Sequence, residues 1–336
     1  MAQSNRKFLL RERPKTRCVP ETFELVEEAV PDVGDGEALV RTEWISIDPT
    51  NRAWIGAEPT YLPPVGIGEV MRGIGLGRVV ESRHPSYAEG SLVQGLTGWQ
   101  EYAVASDAAP LLPVIEVAGV DPSAYLGVLG MTGLTAFIGI DEIGKPQEGE
   151  TFVVSAAAGA VGSVAGQLAK ARGARVVGIA GGPEKTALLT DRLGFDVAVD
   201  YKAGDWRDQL KAATPEGIDV DFENVGGEIM DAVFGRLNLR ARVALCGLLS
   251  NYNDAEPPPG PRNFRRVLVN RVLVKGFIVL DHFARAPEAA AEIGGLMSAG
   301  RLQPLETVVE GFEKLPEAIN MLFDGANVGK LVVKTA

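Results

Sequence analysis

SAAAGAVGSVAGQLAKARGARVVGIAGG (155–182) is the stretch on which the fold turns. The apolar run TFVVSA (151–156) reads as a buried strand, and VGSVAGQLAKARG after it as a helix closed by Gly173. A second strand, ARVVGIA (174–180), and a second helix, PEKTALLTDRLG ending at Gly194, repeat the unit. Between the first strand and helix, AAAGAVG (156–162) lays the pattern G-x-G-x-x-G on Ala157, Gly159 and Gly162, with Ala158, Ala160 and Val161 between them and alanine in the first place. Small residues belong there because the backbone must approach a pyrophosphate while the helix packs tightly on the strand. The helix N-terminus offers unpaired N–H groups and the positive end of its dipole. Local sequence alone also allows a close-packed Ala/Gly corner without a ligand; the strand–turn–helix context favours the phosphate turn.

Working outward, AVDY (198–201), VDFENV (220–225) and RVALCG (242–247) continue as strands alternating with helical stretches, which predicts a doubly wound parallel sheet. PPPGPRNF (257–264) reads as a surface loop, RVLVKGFIVLD (271–281) as one more strand and PEAAAEIGGLMSAG (287–300) as a helix. The first 125 residues have another grammar. LVRTEWISI, GRVVES, SLVQGL and WQEYAVA are short β-branched and aromatic runs, and Gly66, Gly68, Gly73, Gly75 and Gly77 suit the tight turns of a small barrel. The plan is an α/β chain with a strand-rich domain over 1–126, an inserted dinucleotide-binding domain over 127–293 and a return over 294–336.

Composition narrows the function. The net charge of −11 repels phosphate backbones and anionic lipid, which argues against a nucleic-acid or membrane partner. Thr151–Ala169 carries no charge, but its Gly and Ala content and its central turn make it soluble core rather than a membrane span. MAQSNRKFLLRERPK at the N-terminus lacks an apolar stretch long enough for a signal peptide. Cys18 and Cys246 are too few and too far apart for a disulfide framework, so the chain reads as cytoplasmic. With His84 and His282 as the other soft donors, no usual zinc site is expected.

The end of the second strand discriminates between cofactors. An NAD site places an acid there for the ribose hydroxyls. Here Val177-Gly178-Ile179-Ala180-Gly181-Gly182 has none, and Lys185 follows at the helix start, where it can meet a 2′-phosphate as a point charge. The expected cofactor is NADPH. Tyr201, after the next strand, could add a hydroxyl or simply pack. Asn224 ends a strand where ligands of open α/β sheets gather, although it could equally make the turn before Gly226 and Gly227.

Together with EK (184–185) and LGFDVAVDYK (193–202), the 155–182 stretch resembles the leukotriene/prostaglandin reductases of the medium-chain dehydrogenase/reductase superfamily, with plant double-bond reductases and bacterial curcumin reductase. ISIDP (45–49), WQEYAV (99–104), GMTGLTAF (130–137), FENVGG (222–227), CGLLSNYN (246–253) and NVGKLVV (327–333) carry the likeness over nearly the whole chain. The resemblance implies a GroES-like β-barrel catalytic domain built from both chain ends, an inserted Rossmann domain, no zinc, and NADPH-dependent reduction of activated carbon–carbon double bonds. It implies cofactor contacts at Gly159, Gly162, Gly181, Lys185, Tyr201, Asn224 and Asn327, with Cys246 and Ser250 near the nicotinamide. Two departures bear on the substrate: DPTNR puts Thr50 in place of a tyrosine in the family's DPYMR, and Phe137 stands where GMPGLTAY has its tyrosine.

Hydride addition to the β-carbon of an enone or enal leaves an enolate, which needs orientation and a neutral hydrogen-bond donor but no metal. Tyr252 matches the family position near the substrate carbonyl, and Tyr61 in EPTYLPP (58–64) resembles a pocket tyrosine of some members. Other readings are a zinc-free NADPH quinone oxidoreductase and a protein that binds NADPH without turnover. The apolar run 271–280, as the last strand of its sheet, would leave a bare edge, and family members commonly join such edges in homodimers.

Overall fold

The computed structural model describes residues 4–58, 60–254, 256 and 258–335. Met1 to Gln3 of the N-terminal segment, Pro59 of the Tyr61 loop and Pro257 of the proline run lie outside the described residues. Chain order gives β1 (Ser4–Leu10), β2 (Phe23–Ala29), β3 (Glu37–Ile47), α1 (Pro49–Trp54), β4 (Gly75–Ser82), β5 (Leu92–Gly95), β6 (Tyr102–Ser106) and β7 (Leu112–Pro113). After α2 (Met131–Ile138) come β8 (Thr151–Val154), α3 (Ala160–Ala171), β9 (Arg175–Ala180), α4 (Pro183–Asp191) and β10 (Val197–Asp200). Next are α5 (Trp206–Ala213), β11 (Ile218–Glu223), α6 (Gly227–Phe234), β12 (Leu237–Leu245), α7 (Arg265–Val269), β13 (Leu273–Gly276) and α8 (Ala286–Ser298). β14 (Glu306–Glu310), α9 (Leu315–Asp324) and β15 (Lys330–Lys334) complete the chain.

Two compact units result. The first runs to Leu126 and takes back Thr307–Ala326 and the segment from Leu331; the second is Gly127–Glu306 with Asn327–Lys330. The return to the first unit therefore begins at Thr307, not at 294: α8 packs against α2 and belongs to the second unit.

In the first unit, β14, β15, β3, β4, β5 and β7 form one sheet, with β6 on the other side of β3, and β1 pairs antiparallel with β2. Phe8, Phe23, Trp99 and Phe312 close one core: Phe8 stacks on Phe312 at 5.3 Å between ring centroids and Phe23 tilts on Trp99 at 5.0 Å. The crowded glycines do two jobs. Gly68 makes a turn at φ +84°, whereas a Cβ on Gly77 would stand 2.2 Å from the Arg41 carbonyl and one on Gly75 2.1 Å from Thr97 Oγ1. Those two are strand positions emptied for close approach rather than the turns expected of them.

In the second unit the sheet order is β10-β9-β8-β11-β12-β13, and every pairing is parallel. Taken in order of first appearance, that is 3-2-1-4-5-6, the doubly wound order whose direction reverses between the first and fourth strands, here β8 and β11. Crossover helices cover both faces, so β8 is buried throughout. The expected last strand is shorter than its apolar run. β13 spans only Leu273–Gly276, and after it Phe277 packs edge-on against Phe222 while Val279–Arg285 coils into a 3-10 turn. Among the described residues no helix is long and apolar enough to cross a membrane.

Candidate active site

Ligands of a doubly wound sheet collect outside the carboxyl ends of the strands at the reversal, between β8 and β11. The β8 side is the small-residue turn. Ala156 takes the left-handed conformation at φ +48°, so the tight bend sits one residue before Ala157, the position the glycine pattern assigns to it. Gly159 is extended and caps α3, its N–H donating to the Ala156 carbonyl at 2.8 Å. Ala158, Ala160, Val161 and Gly162 complete the turn and the first helical residues. A Cβ on Gly162 would lie 2.4 Å from the Ala156 carbonyl, so only glycine lets the helix start this close to the strand. The turn can therefore present helix N–H groups to a phosphate.

Asn327 joins the same place. Its Nδ2 donates to the Gly329 carbonyl at 3.0 Å, and the Gly329 N–H donates to the Ala158 carbonyl at 2.7 Å. Asn327 is buried and fixed beside the turn, a long-range neighbourhood for which its local sequence gave no signal beyond the flanking glycines.

At the end of β9, Gly181 faces Tyr201 and Lys202: an added Cβ would come within 2.8 Å of the tyrosine ring and 2.9 Å of Lys202 Cε. The Asp200 carboxylate holds this corner by accepting from the N–H groups of Gly182 at 2.7 Å and Lys202 at 3.0 Å. Lys185, half-buried at the start of α4, has its pKa lowered by burial and by the charge of Lys202. Two ammonium groups drawn together in this way lose their repulsion when an anion sits with them. The lysine following Tyr201 in VDYK is thus a second cation at the corner, brought there by the pairing of β10 with β9, which no local pattern signals.

The β11 side carries the remaining candidates. The Asn224 N–H donates to Ser155 Oγ and its Nδ2 to the Ser155 carbonyl, both at 2.8 Å. The chain after β12 lies along this strand end: Ser250 donates through its N–H at 2.9 Å and through Oγ at 2.7 Å to the Val225 carbonyl. Burial, with the Glu223 charge adding, pushes the Cys246 thiol up to about 12, so it is a neutral group and no nucleophile. Tyr252 follows the short turn Leu249–Asn251 with its hydroxyl directed toward Gly247. Burial raises its pKa above the usual phenol value, Cys246 adds to this, and a backbone hydrogen bond at Leu248 opposes it. The phenol therefore stays a donor at neutral pH.

Tyr61 belongs to the first unit, where it is 41% exposed. Arg13 draws the ends of its loop together, donating to the carbonyls of Ile55, Gly56 and Val65 at 3.1, 2.7 and 2.7 Å. Thr50 is half-buried in the first turn of α1, after Asp48, whose N–H donates to Asn51 Oδ1 at 2.7 Å. Phe137 is 1% exposed in the core of the second unit, with the Arg285 guanidinium 4.8 Å over its ring. His84 and His282 engage the carboxylates of Asp107 and Glu142 at 3.1 and 3.0 Å.

A family described as the N-terminal domain of oxidoreductase matches residues 6–114, and one described as zinc-binding dehydrogenase matches residues 160–294. Among the described residues no three His, Cys, Asp or Glu gather where one ion could hold them, so the donor set here does not fit the zinc of that description. The NADPH-dependent curcumin reductase of Escherichia coli (strain K12) is 44% identical over 339 residues, covering 99% of this chain and 98% of the relative. The 2-alkenal reductase (NADP(+)-dependent) of Nicotiana tabacum is 39% identical over 302 residues, covering 89% and 88%. The crystal structure of CurA from Vibrio vulnificus in complex with NADPH superposes with a TM-score of 0.94 at 41% identity, covering 98% of this chain and 99% of that one. The chain belongs to the medium-chain dehydrogenase/reductase superfamily, in the group of the curcumin and alkenal reductases.

Proposed function

We propose that this NADPH-dependent reductase of carbon–carbon double bonds acts on α,β-unsaturated ketones and aldehydes, adding hydride to the β-carbon. The observation that carries the reading is the corner at Gly181, where β9 ends without an acid of its own and the charge of Lys202 acts on Lys185, on a chain 44% identical to an NADPH-dependent curcumin reductase. When bound, NADPH supplies the hydride from its nicotinamide. The protein's own work is placement and charge. Gly159, Gly162 and the start of α3 would hold the pyrophosphate; Lys185, Lys202 and Tyr201 the 2′-phosphate; Asn224, Ser250, Cys246 and Asn327 the nicotinamide half. The Tyr252 hydroxyl would donate to the substrate carbonyl oxygen and bind it more strongly as negative charge develops there. Tyr61 is the second candidate for contact with substrate.

We further propose a cytoplasmic homodimer. The free thiols Cys18 and Cys246 suit a reducing compartment. The outer edge of β13 has no strand beside it among the described residues, and Leu273 on it and Leu268 before it are 50% and 80% exposed. Pairing of two such edges would cover both. Light scattering at micromolar concentration should give twice the chain mass; a monomer contradicts the pairing.

Lys185→Ala should cut the ratio of NADPH to NADH efficiency by about tenfold, the loss of one charge-assisted contact. Steady-state kinetics with both cofactors read it, and an unchanged ratio would remove Lys185 from the phosphate site. Tyr252→Phe should slow hydride transfer to benzylideneacetone in single turnovers at saturating NADPH, with little change in NADPH affinity. The loss should be about tenfold, below the roughly hundredfold of a fully developed oxyanion donor, because water partly substitutes. A wild-type rate would discharge Tyr252 from the chemistry.

A further inference from the structure

Glu223 is the last residue of β11 and is fully buried at the sheet's reversal, beside every candidate residue of that strand end. Its Oε1 accepts from Ser155 Oγ at 2.7 Å, from the Val225 N–H at 2.5 Å and from the Gly226 N–H at 2.9 Å. Ser155 Oγ in turn accepts from the Asn224 N–H, so the serine proton has one direction to point, toward the carboxylate. The Glu223 carbonyl accepts from the N–H groups of Cys246 at 2.9 Å and Gly247 at 3.1 Å, and the Asn224 carbonyl accepts from Leu249 at 3.0 Å. The loop that carries Ser250 and Tyr252 is thus laid, bond by bond, on the turn that Glu223 shapes.

Three donors converge on one oxygen, more than its two lone pairs serve in ordinary geometry. A full negative charge makes such crowding favourable; a neutral carbonyl does not. Two residues back on the same strand face, Asp221 is also fully buried, its cross-strand neighbours are Val153 and Val243, and neither of its carboxyl oxygens has a partner among the described residues. Burial and the Glu223 charge drive the Asp221 pKa well above the usual carboxylate range, which favours its protonated form. Burial raises Glu223 as well, and its donors from Gly226, Val225, Ser155 and Asn224 work against that rise. Of the two carboxyl groups Glu223 is the better placed to carry charge, because three donors gather on its Oε1, although its Oε2 is buried without a partner among the described residues, as are both oxygens of Asp221.

We propose that Glu223 is a positioning residue of the active site: its carboxylate, acting through the Ser155 hydroxyl and the Val225 and Gly226 N–H groups, sets Asn224 and the Tyr252 loop for hydride transfer. The proposal rests on the reading of Asn224 and Tyr252 given above, and goes beyond it in assigning the part to a group that touches neither cofactor nor substrate. Glu223→Gln keeps the shape and removes the charge; Ser155→Ala removes the relay.

NADPH fluorescence titration counts the folded, cofactor-competent sites, and single-turnover reduction of benzylideneacetone at saturating NADPH gives the rate per site. The expected result for Glu223→Gln is a rate about tenfold lower per occupied site, with NADPH affinity within about threefold of wild type. Ser155→Ala should lose a similar factor, and the double variant no more than the larger single loss, since both act through one chain of bonds. A purely structural carboxylate would lower the melting temperature and the number of sites but leave the rate per site unchanged. That result, or losses that multiply in the double variant, would overturn the proposal. If Glu223→Gln does not fold, Ser155→Ala decides: a wild-type rate per site overturns it. Tyr252→Phe measured alongside keeps the claims apart, since a wild-type rate there removes the Tyr252 donor while the Ser155–Glu223 coupling is still read by itself.

Discussion

The second unit depends on one steric condition: α3 must begin almost in contact with the end of β8. The Ala156 carbonyl occupies the space a Gly162 side chain would need, and Phe195 that of a Gly166 side chain, its ring 2.1 Å from where the Cβ would stand. With both positions empty, the helix lies flat on the strands and its first N–H groups open toward the strand ends. Asn327, Lys185 and Asn224 each arrive by a different route, but all are placed relative to this turn. The condition is met at a cost, since Ala156 holds a left-handed conformation that disfavours a Cβ by about 1–2 kcal/mol.

Electrostatics then separates the site from the rest of a chain of net charge −11. Lys185 and Lys202 make a local positive corner against that field, held by the backbone bonds of Asp200. At the other strand end burial raises the pKa of both the Cys246 thiol and the Tyr252 phenol, so both keep their protons at neutral pH.

The parallel half was legible in the sequence because its central strands β8, β9 and β11 are buried on both faces and its first two crossover helices are followed by glycine stops. TFVV, RVVGIA and IDVDFE announce themselves by composition, and Gly173 and Gly194 end helices at φ +85° and +69°. The antiparallel unit was legible only in outline. β2, FELVEEA, is exposed at five of its seven positions and is a strand because it pairs with β1 in register from Phe23 to Ala29; no periodicity signals that. Partnership also shortened β13, whose apolar run turns in at Phe277 to cover Phe222. The site shows the same division. Gly159, Gly162 and Lys185 sit in a local pattern that carries its own mechanism, while Lys202, Asn327 and Glu223 acquire their places from distant parts of the chain: Gly181 beside Lys202, Ala158 bonded to the Gly329 that holds Asn327, and Ser155 bonded to Glu223. In FENVGG the glutamate looked like part of a motif; only the fold shows what its carboxylate holds.

The central claim, hydride delivered to the β-carbon of a conjugated carbonyl compound, is tested most directly by following a label. NADPH deuterated at the transferring position of nicotinamide C4 is turned over with benzylideneacetone, and the product is read by deuterium and proton NMR. The account predicts a saturated ketone with deuterium on the carbon that was β to the carbonyl. Deuterium on the carbinol carbon of an allylic alcohol, or oxidation of NADPH with no new carbon–deuterium bond in the product, would contradict it.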